Sequence, residues 1–537
     1  MVGAVVETLA GAVEGGRAGD VFVFRGVPYG SCTGPGARFR RATSPRAWTG
    51  VRPAIEWGPT APQVRMDLSN VMPQEFRELG FAQADSPTQG EDCLVLNVWT
   101  PGLDAERRPV MVWLHGAPWN SGVGSGHDGA ALAQSGDVVV VTLNHRLGVL
   151  GFLHLDGVAP GEYPDSGVVG MLDVVTALEW VRDNIAAFGG DPGNVMVFGE
   201  SGGGMKATTL LAMPDARGLF HKVAIESGPY VRGVPAERAA KFTDLFLAEL
   251  AVSRDGVAAL DELPVEQLIE AQERVLRLVE ADAVGDGGLP HADPRHFVAG
   301  VASGGTLWKF GPVVGSPALP HHPFDPAAPT WSADIPMIIG NNKDESALWL
   351  MRYPNIESAT IDDFVDVART IHGERVDDVV AMYRRTRPDA TAWELIDGVV
   401  STDTMWVDLA HIAERQAAAG AAVYMYLFAY NSGILGGRMR AAHGAEISYV
   451  FNDVERSGMS GTRPERFDVA RAMSTAWVQF ARTGDPNHDG IPEWLRYSQS
   501  SRKRMIFDDE CRVEAEPTAF REGMEELGLE FAHPVDS

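Results

Sequence analysis

The middle of the chain alternates unbroken apolar runs with stretches of helical periodicity. Val110-Met-Val-Trp-Leu114 follows Pro109, and Val138-Val-Val-Val-Thr-Leu143 lies between Gly136-Asp137 and Asn144. Neither run alternates with polar residues, so both predict strands buried on two faces, as in a parallel sheet. Across 171–188, Val174, Leu178, Val181, Ile185 and Phe188 recur at helical spacing, which predicts a helix with an apolar face. Gly189-Gly190 stops it, and Asp191-Pro192-Gly193-Asn194 predicts a turn. A strand over 195–198 then runs into the glycine-rich turn Gly199-Glu-Ser-Gly-Gly203, with a helix predicted from about Met205. Residues 238–252 and 264–281 read as amphipathic helices with acidic outer faces, and 357–420 is helical again. Strand signals return at 335–340 and 423–430. The pattern predicts one α/β unit over 1–537, with helical insertions at about 231–300 and 357–420 that would roof a pocket.

Composition narrows the class. An apolar fraction of 45% over 537 residues supports a large core and argues against disorder. No apolar run is long enough to span a membrane. The N-terminal residues show no basic stretch followed by an apolar one, so a cytoplasmic protein is expected. A formal charge of −27 disfavours nucleic acid and anionic membranes as partners, and otherwise reads as solubility. Three cysteines, Cys32, Cys93 and Cys511, form neither a disulfide framework nor a C-x-x-C pair. With histidines scattered, no metal site is expected. Asp485 to Gly490 imitates the start of a calcium loop, but Arg496 stands where the closing carboxylate belongs, so a surface turn is expected.

The serine turn carries the chemistry. Gly199-Glu200-Ser201-Gly202-Gly203 has a strand before it and a helix after it, the context in which G-x-S-x-G forms a nucleophile elbow. A sharp strand-to-helix turn forces its central residue into a strained backbone conformation, and small neighbours avoid the resulting clashes. A serine nucleophile needs a base, and the base needs an orienting acid, in the chain order Ser, Asp or Glu, His. Downstream, the 335–340 strand leads into Asn341-Asn342-Lys343-Asp344-Glu345, and the 423–430 strand into a loop holding Ala442-His443-Gly444-Ala445-Glu446. Spacing alone leaves Asp344 and Glu345 tied, with several histidines in play.

These motifs bring the chain close to a known group. Phe188 to Gly203, Glu91 to Pro101, Asn144 to Leu153, Asn341 to Ser346, His443 to Ile447 and Thr483 to Asn487 fall in order. Over roughly 5–510 the chain resembles the type-B carboxylesterases, which include bacterial para-nitrobenzyl esterases and cholinesterases. The resemblance implies an α/β-hydrolase fold with a large, mostly parallel sheet. It also implies Ser201 as nucleophile, His443 as base, Glu345 as acid, and Glu200 as a buried support. Two departures stand out. Eukaryotic relatives pair the cysteine at the position of Cys93 with one at the position of Ala61, so a free Cys93 is expected, in keeping with a reducing compartment. The oxyanion loop reads His115-Gly116-Ala117-Pro118-Trp119. Relatives use backbone N–H groups at the positions of Ala117, Pro118 and Gly202, and proline has none. Ala117 and Gly202 remain as donors, unless a reshaped loop brings in the Trp119 N–H.

The expected function is hydrolysis of carboxylic esters through an acyl-enzyme, without cofactor or metal, by a monomer or homodimer. Small apolar esters are the expected substrates, with Trp119 touching the acyl group. Carbamate or amide hydrolysis, or acyl transfer to an alcohol, is the alternative on the same triad. A catalytically inactive binding protein of the fold is a remote one, since Ser201, Glu345 and His443 are all present. His115 and His145 are expected to orient structure, not to act as bases.

Overall fold

The computed structural model describes residues 3–64, 88–117, 119–284, 310–351 and 356–529. Among these residues thirteen strands form one sheet. In chain order they are β1 (Ala4–Thr8), β2 (Gly11–Ala18), β3 (Val21–Pro28), β4 (Val51–Pro53), β5 (Val95–Thr100), β6 (Arg108–Leu114) and β7 (Val139–Leu143). They continue with β8 (Gly190–Glu200), β9 (Lys222–Glu226), β10 (Met337–Asn342), β11 (Val423–Phe428), β12 (Lys503–Phe507) and β13 (Arg512–Ala515). The spatial order is β1-β2-β3-β5-β7-β6-β8-β9-β10-β11-β12-β13, with β4 beside β2. From β7 to β12 every pairing is parallel, and the flanks at both ends are antiparallel apart from β4, which runs parallel to β2. The run of apolar residues explains the parallel centre: every residue of β6, β7, β9 and β10 is buried, so both faces must be covered.

The helix expected over 171–188 is α1 (Val169–Asn184), followed by a 3₁₀ turn over Ile185–Phe188. Gly189 ends it in the left-handed conformation, at φ 79°. Two boundaries differ from the sequence pattern. β8 begins at Gly190, so the expected turn at 191–194 lies inside the strand, as a register shift against β6 between Arg108 and Val110. The Asp191 carboxylate accepts from Gly193 N at 2.9 Å, the local bond that made these residues read as a turn. The second helix, α2 (Gly202–Ala212), starts directly after the serine and not near Met205. Three glycines open it against their propensity; a Cβ on Gly203 would stand 2.0 Å from Leu114 O and one on Gly204 2.9 Å from Gly228 Cα.

Both stretches read as insertions contain helices. They are α3 (Ala236–Glu249) and α4 (Val265–Val284) in the first. In the second they are α5 (Ile361–His372), α6 (Val376–Thr386), α7 (Ala392–Asp397) and α8 (Asp403–Ala418). Residues 285–300 of the first stretch lie outside the described residues. No helix among the described residues is long and apolar enough to cross a membrane.

The three cysteines are unpaired: Cys93 is buried, Cys511 half-buried and Cys32 exposed. Ala61, the position that would face Cys93 across a disulfide, is buried as well. Burial drives the Cys93 thiol well above its ordinary range, so it is not ionised at neutral pH. A thiol reagent should therefore label Cys32 in the native protein and spare Cys93. Unfolding without reductant should release three thiols, and a count of one would mean that two of them are bridged.

Candidate active site

Five neighbouring strands, β6, β8, β9, β10 and β11, end on one edge of the sheet, where open α/β sheets bind ligands. Each is followed by a residue of the site. β8 ends at Glu200, and Ser201 is the turn residue, at φ 55° and ψ −122°. Its N–H donates to Glu226 O on β9 at 2.8 Å. The glycines around it are required by contact. A Cβ on Gly203 would stand 2.0 Å from Leu114 O, and one on Gly228 would stand 2.1 Å from Ser201 O. No side chain fits at either position.

Glu345 follows β10 and His443 follows β11. His443 Nδ1 lies 2.5 Å from Glu345 Oε2. The other carboxylate oxygen, Oε1, accepts from Asn342 N at 2.7 Å and from Ser227 Oγ at 2.6 Å. Asp344, tied with Glu345 by spacing, faces elsewhere: it meets Arg440 Nη1 at 3.4 Å and accepts from Ala441 N. The Trp349 ring lies across the His443 imidazole, with centroids 5.0 Å apart.

Beneath this pair lies a set of buried acids. Glu200 Oε1 is 3.1 Å from His443 Nε2 but makes no aligned hydrogen bond. Burial raises the Glu200 carboxyl to about 7; Glu345 adds to the rise, and His443 and Lys206 oppose it. Glu226 rises to about 8 for the same reason, eased by the hydrogen bond from Trp477 Nε1. Glu446 lies well above its ordinary range through burial and the charges of Glu200, Glu345 and Glu226. Its carboxyl meets Ser227 Oγ at 3.2 Å and Asn342 Nδ2 at 2.5 Å. Burial alone would lower His443, yet Glu200 and then Glu345 overcome it and carry the imidazole up to about 10. Glu200 and His443 therefore compete for one proton and titrate as a pair. With the proton on Glu200, the imidazole is neutral and stays in contact with Glu345.

β6 leads into the loop expected to carry the oxyanion donors. Ala117 sits at φ 57°, and Gly202 is the first residue of α2. Pro118 lies outside the described residues. The His115 and His145 rings stack 5.0 Å apart, and the Nδ1 of each faces a carbonyl, Gly116 O and Arg146 O respectively. Burial lowers His115 to about 3. Both rings are thus neutral at pH 7, with Nδ1–H the donor. Trp119 is 1% exposed and packs on Phe152 and Tyr230, with ring centroids 5.3 and 5.2 Å away.

Four residues of this site did not stand out in the sequence: Ser227, Glu226, Glu446 and Lys206. A signal existed for the first two. Glu226-Ser227-Gly228 repeats Glu200-Ser201-Gly202 at the end of the neighbouring strand, with Glu200 and Glu226 in register, and Ser227 too has a positive φ, 48°. Glu446 lies within the His443 motif. Among the described residues no group of side chains could hold a metal ion.

The model of the carboxylesterase family matches residues 3–522. The para-nitrobenzyl esterase of Bacillus subtilis (strain 168) is 32% identical over 528 residues, covering 96% of each chain. A phenmedipham hydrolase of Pseudarthrobacter oxydans is 32% identical over 515 residues, 94% of this chain and 95% of its own. Among solved structures, a PNB esterase superposes with a TM-score of 0.77 at 30% identity, covering 97% of this chain and 99% of its own. The Geobacillus stearothermophilus carboxylesterase EST55 gives 0.76 at 33% identity, over 96% and 99%. A match along nearly the whole length makes this chain a member of the carboxylesterase family.

Proposed function

We propose that this carboxylic-ester hydrolase works through an acyl-enzyme on Ser201, with His443 as base and Glu345 as the acid that orients it. The observation that carries the assignment is the 2.5 Å contact between His443 Nδ1 and a fully buried Glu345 carboxylate. That contact orients the imidazole so that Nε2, which faces Glu200 Oε1 at 3.1 Å, is the nitrogen proposed to take the Ser201 proton. Ser201 attacks the ester carbonyl, and the N–H groups of Ala117 and Gly202 face the resulting oxyanion. The imidazolium returns its proton to the departing alcohol, and water activated by the same imidazole releases the acid.

The substrate side of the proposal is a small apolar ester, supported by the aromatic groups around Trp119 and His443. Trp119 is proposed to back the acyl group. The helices at 236–284 and 361–418 are proposed as insertions of one catalytic domain over 1–537. Three unpaired thiols support a reducing compartment, the cytoplasm.

Ser201→Ala and His443→Ala should each lose about 10⁴-fold or more in kcat with unchanged melting temperature. Glu345→Gln should lose most of its activity, whereas Asp344→Asn should keep most of it. Equal losses at 344 and 345 in the same steady-state assay would overturn the choice of acid.

Glu200 sets a second test. Its carboxylate favours the imidazolium, so Glu200→Gln should lower the His443 pKa. The acid limb of the kcat/KM–pH profile should then move to lower pH, by on the order of one unit. An unmoved limb, or one displaced upward, would contradict the paired titration.

A further inference from the structure

Lys206 lies on α2, five residues after the nucleophile, and is completely buried. Its ammonium has no carboxylate within ion-pair distance among the described residues. Nζ donates instead to two backbone carbonyls, His115 O at 3.1 Å and Ala117 O at 2.9 Å, and it stands 5.6 Å from the centre of the Trp119 ring. Burying an ammonium without a contacting counter-ion is unfavourable, and burial lowers this one to about 7 against the pull of Glu200. General folding does not call for such a group, since a methionine would fill the same space without that cost.

The two carbonyls belong to the oxyanion loop. The one between them, Gly116 O, is held by His115 Nδ1 at 2.8 Å. All three successive carbonyls of the loop therefore have a fixed donor. In a planar trans peptide the C=O and N–H point in opposite directions. Holding the carbonyls of His115 and Gly116 thus aims the N–H groups of Gly116 and Ala117. The third carbonyl begins the Ala117–Pro118 peptide, which has no N–H of its own. The loop packs closely on the nucleophile: a Cβ on Gly116 would stand 4.0 Å from Ser201 Cβ.

We propose that Lys206 is a positioning residue for the oxyanion hole. It ties the loop after β6 to α2, whose first N–H, that of Gly202, is the other half of the hole. One helix thereby sets the spacing between both donors, in a loop that proline has left one donor short. This role rests on the acyl-enzyme reading of Ser201.

The test uses the full-length enzyme with Lys206→Met and Lys206→Gln. It measures kcat, KM, melting temperature and the inhibition constant of an aryl trifluoromethyl ketone, whose adduct with the serine carries the oxyanion. Lys206→Met should lose roughly 10- to 100-fold in kcat, below the full effect of deleting a donor, with KM within about twofold. The ketone should weaken by a similar factor. Lys206→Gln keeps a shorter donor and should fall between Met and the parent; if Lys206→Met does not fold, the same readings on Lys206→Gln decide. Unchanged kcat and ketone affinity would overturn the proposal. So would a loss of activity with ketone affinity retained, since a merely structural lysine leaves the hole intact in the folded fraction. Failure of the acyl-enzyme reading looks different: the ketone would then not compete with substrate in the parent enzyme.

Discussion

The site depends on one strained residue. Ser201 is held at φ 55° and ψ −122°, a conformation that costs a non-glycine residue about 1–3 kcal/mol and persists only where its surroundings enforce it. Here the enforcement comes from three sides. β8 feeds the turn from below, the bond from Ser201 N to Glu226 O fixes it to β9, and α2 begins at the next residue. Backbone packs on backbone around it, so Gly203 and Gly228 must lack side chains. The parallel centre of the sheet then places the ends of β6, β10 and β11 beside that turn, and each loop carries its group to the same edge.

The second constraint is charge in a dry interior. Glu200, Glu226, Glu345, Glu446 and Lys206 are buried around the turn, with His443 half-buried beside them. Such a set is tolerable only when most of its members are neutral or hydrogen-bonded. The structure meets this in two ways. Glu345 collects three donors, from Asn342, Ser227 and His443. Glu226 and Glu446 are instead pushed toward the protonated form by burial. Ser227 Oγ bridges Glu345 and Glu446, so the two carboxyls share one donor. The outcome is an imidazole held between two carboxyls, Glu345 at Nδ1 and Glu200 at Nε2.

Much of this was legible in the sequence because it follows from local pattern. The unbroken apolar runs gave the parallel strands, and the glycines around Ser201 gave the turn. The order of motifs after β10 and β11 pointed to the loops that carry Glu345 and His443. What spacing could not resolve was direction. Asp344 and Glu345 are adjacent, and only the path of the chain after Asn342 turns one toward His443 and the other toward Arg440. The start of β8 was misplaced because Asp191 makes a turn-like bond while remaining in the strand. Lys206 escaped notice because a single lysine on a helix normally reads as a solvated residue. Its partners are backbone carbonyls 91 and 89 positions earlier, and no local pattern encodes them.

The central claim is that ester cleavage passes through a covalent bond to Ser201. Rapid acid quenching of the enzyme with an activated aryl ester, followed by intact mass and peptide mapping, tests it most directly. The account predicts a burst of alcohol release, together with an acyl adduct on the peptide that contains Ser201. Full turnover with no adduct, or an adduct on another residue, would contradict it.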